Sequence, residues 1–153
     1  MAEYDALVNR VTLWNVAVQR QIRVKGPDAE AFVNYVITRD ASRIQPMHGK
    51  YCILCNNKGG ILNDPVLLRL SHEEFWFSIS DSDLILWLQG VNVAKQWNVD
   101  IDEIDVSPLQ IQDPLSEDLM ADLVGDELRG IPYYGMLVRH AWPRKSPRCP
   151  RGR

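Results

Sequence analysis

Apolar and polar residues alternate from Gln21 to Lys25, which is the two-residue period of a strand with one buried face. Gly26-Pro27-Asp28 then indicates a turn, with Asp28 at the N-cap position of a helix over 29–36. Within that helix the apolar residues recur at three- and four-residue spacing, which predicts one buried face. The pattern therefore predicts a strand, a tight turn and an amphipathic helix.

The central segment reads as two apolar strands, 50–55 and 61–70, joined by a turn at Asn56–Gly60 and with Asp64 inside the second strand. The remaining predicted elements are a strand at 75–80, a helix at 84–95 capped by Asp81–Asp83, strands near 99–101 and 109–112 flanking an acidic segment at 102–105, and a helix from Pro114 to Val124 ended by Gly125. This order predicts an α+β fold, in which helices pack on one face of a mainly antiparallel sheet.

Composition and length favour one globular domain, because 153 residues with 46% apolar side chains can bury one core. The net charge of −3 hides a basic tail, residues 143–153, with five basic side chains, three prolines and no acid. The rest of the chain has 12 basic against 20 acidic side chains, which argues against a nucleic-acid interface. The tail itself is typical of a disordered terminus or of a reading-frame artefact after Trp142.

The chain shows neither a signal peptide nor an apolar run of the roughly 20 residues that a bilayer crossing needs, so no membrane partner is predicted. Three cysteines do not make a disulfide framework, and a reducing, cytoplasmic setting is predicted. Cys52 and Cys55 have the spacing of a redox or zinc pair. On a strand, however, they face opposite sides, so they are interpreted as core and sheet residues.

Asp64 is the least expected residue of the central segment, because the run Pro65–Leu68 that follows it is apolar enough to be buried. Ionised carboxylates are rarely found among apolar residues unless they pair with another group or have a function. One interpretation is structural, with Asp64 capping a turn or pairing with Arg39 or Arg69. The other is functional, with Asp64 in an apolar cleft acting through a raised pKa or through a charge aimed at a developing cation.

Tyr51 followed thirteen positions later by Asp64, with Gly59-Gly60-Ile61 between them, resembles the signature of the glycine-cleavage T-protein family. These proteins are tetrahydrofolate-dependent aminomethyltransferases and methyltransferases. Their usual pattern is Tyr-x-Leu-x-x-Asn-x-x-Gly-Gly-Ile-x-Asp-Asp, and this chain has Asn63 where the first aspartate is usual. Further matches, in the right order over roughly residues 4 to 135, are Val24–Ala29 with Phe32, Thr38–Asp40, and Gln110–Pro114.

One branch of the family, the dimethylsulfoniopropionate demethylases, is more similar than the others. The similarity rests on Asn63–Leu70 and is supported by Phe75-Trp76, Ser80–Asp83, Thr12–Val16 and Asp105–Gln110. The resemblance implies a transferase that moves a methyl group from a small-molecule donor, dimethylsulfoniopropionate, to tetrahydrofolate as the cofactor, giving methyl-tetrahydrofolate. The alternatives are glycine-cleavage aminomethyl transfer, which needs a lipoyl carrier protein as partner, and a non-catalytic folate-binding module.

The resemblance also implies roles for individual residues. Asp64 takes the position of the family's catalytic acid/base or electrostatic residue, and Tyr51, Asp64, Ser78 and Ser80 are the expected folate-binding positions. Family members form a three-domain disc with folate in a central hole. We therefore expect residues 1–142 to be part of the folate-binding domain of a longer protein, and the resemblance allows a homodimer.

Overall fold

The computed structural model describes residues 2–80 and 82–139. Its helices are α1 Ala2–Asn9, α2 Ala29–Val36, α3 Leu84–Lys95 and α4 Ser116–Val124, with short 3₁₀ turns at Ala41–Arg43 and Asp126–Gly130. Its strands are β1 Thr12–Asn15, β2 Gln21–Lys25, β3 His48–Tyr51, β4 Leu54–Cys55, β5 Ile61–Asn63, β6 Val66–Arg69, β7 Glu74–Ser78, β8 Asp100–Glu103 and β9 Leu109–Gln112.

A five-stranded sheet in the order β3-β6-β7-β2-β8 forms the centre of the fold. Every strand pairing among the described residues is antiparallel. Two further pairs stand apart from this sheet: β4 with β5, and β1 with β9. The predicted α+β class with a mainly antiparallel sheet is confirmed.

The core lies on one face of the central sheet. Phe77 sits opposite Ile22 on one side and Leu67 on the other, and all three are fully buried. Helices α2 and α3 cover this face, with their buried side chains in the same apolar cluster as the strands. Alternation sends the neighbouring strand residues to the opposite face, where Arg23 and Trp76 are half-buried. The predicted period of two therefore fixes which strand residues enter the core.

The turn before α2 shows why a glycine is needed there. Gly26 has a φ of +146°, and a Cβ at this position would collide with the carbonyl oxygen of Asn98. Asp28 occupies the predicted N-cap position, but its carboxylate accepts from the backbone N–H of Asn98 at 2.8 Å and does not cap α2. The predicted N-cap position is confirmed, although a tertiary contact takes the carboxylate.

The two long central strands of the sequence prediction are each broken in the structure. The second stops at Asn63 and resumes at Val66, so Asp64 lies between β5 and β6 and is not inside a strand. Pro65 has no N–H to give to a ladder, which explains the break. The turn that joins β4 to β5 is confirmed, with Gly59 at a φ of +80° and the Asn56 side chain accepting from two backbone N–H groups of the turn.

Other predicted boundaries differ in smaller ways. Asp102 and Glu103, assigned to an acidic segment between strands, belong to β8, where their carboxylates pair with Arg23 and Arg20. Helix α3 has the predicted bounds, but Asp83 makes no side-chain cap bond, and Asp81 lies outside the described residues. Helix α1 and strand β1 were not predicted. Neither contains a buried residue, so their apolar pattern is weak.

The predicted disordered tail at 143–153 also lies outside the described residues. None of the helices in the described ranges combines the length and apolarity that a bilayer crossing requires. The assignment of residues 1–142 to one domain of a longer protein stays a prediction.

Candidate functional site

Asp64 lies in the two-residue break between β5 and β6, with its side chain exposed. Pro65, the next residue, is fully buried, and its carbonyl oxygen accepts from the backbone N–H of Cys52 at 3.0 Å. The chain is thus anchored immediately beside Asp64 while the carboxylate itself faces outward. The apolar run after Asp64 enters the core through Leu67, but the expectation that Asp64 sits inside an apolar strand is wrong.

Two hydroxyl groups hold the Asp64 carboxylate. The Tyr51 hydroxyl donates to Oδ2 at 2.7 Å, and the Ser80 hydroxyl donates to Oδ1 at 3.0 Å. These hydrogen bonds, that of Tyr51 first, lower the pKa of Asp64 below its ordinary value. The same bond raises the pKa of Tyr51, because a phenolate beside the carboxylate would be repelled. Asp64 is therefore ionised at neutral pH and Tyr51 is protonated.

The interpretation in which Asp64 pairs with Arg39 or Arg69 is not confirmed. Arg69 is buried and forms its ion pair with Glu30 at 2.6 Å, while Arg39 donates through Nε to the backbone oxygen of Tyr51 at 3.0 Å. The interpretation with a raised pKa is also wrong, because the hydrogen bonds from Tyr51 and Ser80 lower the pKa of this exposed carboxylate more than its slight burial raises it. What remains is an exposed carboxylate of fixed orientation that can face a positive charge.

Asn63 stabilises this arrangement through hydrogen bonds to the loop after β7. It is 4% exposed, and its side-chain amide donates to the Ser80 carbonyl oxygen at 3.2 Å and to the Ser82 hydroxyl at 2.8 Å. The Ser80 hydroxyl also approaches the Asn63 side-chain oxygen at 3.4 Å. The loop after β7 is thereby tied to β5, which brings Ser80 within reach of Asp64. An aspartate here could not donate to the Ser80 carbonyl, so the departure at residue 63 has a structural consequence.

The structure brings three of the four predicted site residues together: Tyr51, Asp64 and Ser80. Ser78 is separate from this set, since it lies in β7 and its hydroxyl accepts from the Gln21 side chain at 2.8 Å. The supporting role of Asn63 was not predicted from the sequence. The available signal was a polar residue at a position where strand alternation predicts burial.

Cys52 is buried, and its desolvation raises the pKa of the thiol to about 12, so it is a neutral core residue as predicted. Cys55 is half-buried, and both thiols are free. Within residues 2–80 and 82–139, no group of three or more His, Cys, Asp or Glu side chains is arranged to hold a metal ion.

Known proteins are similar to this chain over most of its length. A family described as the GCVT N-terminal domain matches residues 1–140. The chain is 37% identical over 133 residues to the dimethylsulfoniopropionate demethylase DmdA of Ruegeria pomeroyi. This match covers 87% of this chain and 36% of that protein. It is 30% identical over 135 residues to an aminomethyltransferase of Thermotoga neapolitana, and 28% identical over 135 residues to one of Desulfitobacterium hafniense.

Among solved structures, the glycine cleavage system aminomethyltransferase T of Bartonella henselae superposes with a TM-score of 0.75 at 22% identity. The match covers 89% of this chain and 36% of that one, and it shows that the fold is shared. The chain thus spans little more than a third of the length of these relatives. From its match to the GCVT N-terminal domain and its likeness to these transferases, the chain belongs to the GCVT family of aminomethyltransferases and related transferases.

Proposed function

We propose that this chain forms part of a tetrahydrofolate-dependent methyltransferase that demethylates dimethylsulfoniopropionate to give methyl-tetrahydrofolate. The observation that carries the proposal is the ionised, outward-facing carboxylate of Asp64, held by Tyr51 and Ser80. A fixed carboxylate stabilises positive charge in its vicinity without reorganising during the reaction. A sulfonium methyl donor carries such a charge.

The residues present fit a bound folate in one respect. The Tyr51 side chain is 44% exposed, so part of its ring is free to form a pocket wall beside the Asp64 carboxylate. Bound tetrahydrofolate supplies the nitrogen that accepts the one-carbon unit. Tyr51 and Ser80 would keep Asp64 charged and oriented. Since its pKa is lowered, Asp64 would act through its charge and would be a weak base at neutral pH.

The proposal of demethylation, in preference to aminomethyl transfer, rests on which relatives are more similar in sequence. Identity to the Ruegeria pomeroyi demethylase is 37%, against 28% and 30% to the two aminomethyltransferases. The Asn63-Asp64-Pro65 sequence, in place of the family's usual Asp-Asp, supports the same branch. The second candidate is aminomethyl transfer from a lipoyl carrier protein, which the aminomethyltransferase relatives favour. The third is a folate-binding module without catalysis.

The experiment uses a chimaera, because the chain spans about a third of its relatives' length. Residues 1–139 replace the corresponding segment of the Ruegeria pomeroyi demethylase, and single-turnover methyl transfer from dimethylsulfoniopropionate to tetrahydrofolate is measured. We expect transfer, and we expect Asp64→Asn to lower its rate roughly a hundredfold or more, since a group that stabilises developing charge is removed. Asp126→Asn, an exposed aspartate whose side chain is 92% accessible, is the matched control and should leave the rate unchanged.

Three other outcomes are informative. Transfer only from the aminomethyl-loaded carrier protein would move the assignment to the glycine-cleavage reaction. Folate binding with no transfer from either donor would favour a binding module. Equal rates in the parent chimaera and the Asp64→Asn variant would remove Asp64 from the chemistry, whichever donor is used.

A further inference from the structure

Arg39 differs from the other arginines in residues 2–80 and 82–139. Each of the others lies within 4 Å of at least one carboxylate oxygen, as in Arg23 with Asp102 and Arg69 with Glu30. Arg39 forms no such ion pair within these ranges, although acids outnumber bases in the chain before the tail. Its partner is a neutral group, the backbone oxygen of Tyr51, which accepts from Nε at 3.0 Å.

This bond fixes the orientation of Arg39 and uses one of its three nitrogens. The two terminal nitrogens, which form the edge that binds carboxylates in a bidentate manner, are left for a ligand. Arg39 is exposed, and it lines an open cleft of about 310 Å³ together with Thr38, Tyr51 and Cys52. A guanidinium held in place by its Nε loses less side-chain entropy on binding than a free surface arginine.

A second cation lies near Arg39. Lys50 and Arg39 line a neighbouring cleft of about 180 Å³ together with Asp40 and Arg43. The Lys50 ammonium lies 5.8 Å from the centre of the Tyr134 ring, and it too forms no ion pair in the described part of the chain. The carboxylate of Asp40 is already occupied, since it accepts from the backbone N–H and hydroxyl of Ser42 and pairs with Arg43 at 3.4 Å.

Tyr51 therefore separates two opposite charges. Its backbone oxygen contacts the Arg39 cation, and its hydroxyl contacts the Asp64 anion at 2.7 Å. The two charged groups thus contact opposite ends of the Tyr51 residue. A ligand that matches this arrangement is bipolar, with a carboxylate at one end and a cation at the other.

We propose that Arg39, assisted by Lys50, forms a carboxylate-binding subsite that orients the methyl donor so that its cationic end faces Asp64. The proposal rests on the proposed function, because it takes a zwitterionic sulfonium donor as the ligand. The glutamyl carboxylate of tetrahydrofolate has the same chemistry, and the experiment separates the two sources. In either case the bound group is a carboxylate.

The test is a nitrogen-15 NMR titration of the intact chain, following the Arg39 Nε–Hε signal. The ligands are dimethylsulfoniopropionate, propionate, trimethylsulfonium and p-aminobenzoylglutamate, which represents the glutamyl end of folate. We expect dimethylsulfoniopropionate and propionate to shift the signal and trimethylsulfonium, which has no carboxylate, to leave it unmoved. Dimethylsulfoniopropionate should bind more tightly than propionate, because its cation also meets Asp64.

Matched variants decide which cation is responsible. Arg39→Gln should weaken propionate binding about tenfold, as expected for loss of a charge-assisted bidentate contact. Arg43→Gln, whose cation already has Asp40 as its partner, should change it less than about twofold. Arg39→Lys keeps the charge without the forked edge and should give an intermediate affinity. Propionate affinity in the variants is measured from the shifts of backbone amide signals, because Arg39→Gln and Arg39→Lys lack the Arg39 Nε–Hε signal. The same amide spectrum confirms that each variant is folded.

Each remaining outcome has a defined meaning. No shift of the Arg39 signal up to the solubility limit of propionate would overturn the subsite, as would equal weakening by Arg39→Gln and Arg43→Gln. Tighter binding of p-aminobenzoylglutamate than of dimethylsulfoniopropionate would overturn the assignment to the donor and give the subsite to folate. Absence of methyl transfer in the chimaera, with carboxylate binding intact, would reject the proposed function and leave the subsite standing.

Discussion

Replacing Arg69 with methionine is expected to destabilise this domain by about 2–4 kcal/mol, because it leaves the buried Ile44 carbonyl oxygen without a donor and removes one of the two donors to the Ala41 carbonyl oxygen. Arg69 is 3% exposed at the end of β6. Its Nη1 donates to the carbonyl oxygens of Ala41 at 3.3 Å and Ile44 at 3.1 Å, and its guanidinium lies 5.0 Å from the centre of the Phe75 ring. Methionine fills much of the same volume, so the loss comes mainly from the hydrogen bonds.

The magnitude follows from these partners. The Ile44 carbonyl, which loses its donor, costs about 1–3 kcal/mol, and the Ala41 carbonyl, which keeps the backbone N–H of Ile44 as a donor, costs about 1 kcal/mol. The two costs are not fully additive, because they share one side chain. The ion pair with Glu30 adds less, since the Glu30 side chain is 41% exposed and is rehydrated when its partner is lost.

The assay is urea denaturation monitored by circular dichroism. The transition midpoints of the variants are compared, provided that the dependence of the unfolding free energy on urea concentration is the same in each. Glu30→Gln is the matched control, because it neutralises the ion pair and keeps the bonds from Arg69 to the two carbonyls. We expect it to cost about 1 kcal/mol. Equal losses in Arg69→Met and Glu30→Gln would refute the reasoning and assign the stability to the ion pair. A change in the dependence of the unfolding free energy on urea concentration would instead indicate an altered denatured state.

Three further predictions concern the site and the core. Tyr51→Phe should raise the pKa of Asp64, because the first of its two hydroxyl donors is lost; NMR titration of the carboxyl carbon measures this, and an unchanged pKa would contradict the assigned bond. Because folding lowers the pKa of Asp64, its contribution to stability is present above the unfolded-state pKa and is lost as the pH falls through the folded-state pKa; Tyr51→Phe should flatten this acid-side loss. Asn63→Ala should lower the free energy of unfolding by about 1–2 kcal/mol and speed hydrogen exchange around Ser80, whereas unchanged exchange would mean that the amide does not hold that loop. Phe77→Ala, at the centre of the core, should cost about 3–5 kcal/mol in the same urea assay; a loss near that of a surface substitution would mean that the core is not packed as described.

Local signals predicted those elements whose physical causes are local. Three elements have the predicted bounds: the strand at Gln21–Lys25 and the helices at Ala29–Val36 and Leu84–Lys95. Their periodicity and the adjoining turns depend only on residues that are close in sequence. The turn at Asn56–Gly60 was predicted for the same reason. Helix α1 was missed because no residue of it is buried, which leaves no strong apolar face to detect.

The candidate site was predicted in part, through its resemblance to a family. Tyr51, Asp64 and Ser80 are brought together, whereas Ser78 bonds to Gln21. The environment of Asp64 was predicted wrongly, because an apolar run after a carboxylate does not reveal which way the carboxylate faces. Pro65 interrupts the ladder and turns Asp64 outward, an effect that depends on how β5 and β6 enter different sheets.

By itself, the sequence determined the strand and helix periods, the positions of the turns and the excess of acidic side chains, since each depends on residue types and short spacings. Only the tertiary structure decided which side chains meet. The pairing of β6 with β7 brings Ser80 back to Asp64, and the buried Asn63 amide holds it there. Likewise, every other arginine in the described residues finds a carboxylate, while Arg39 remains beside Tyr51. Contacts of this kind depend on chain segments that are distant in sequence, and the interaction energies that select them exist only once the core has formed.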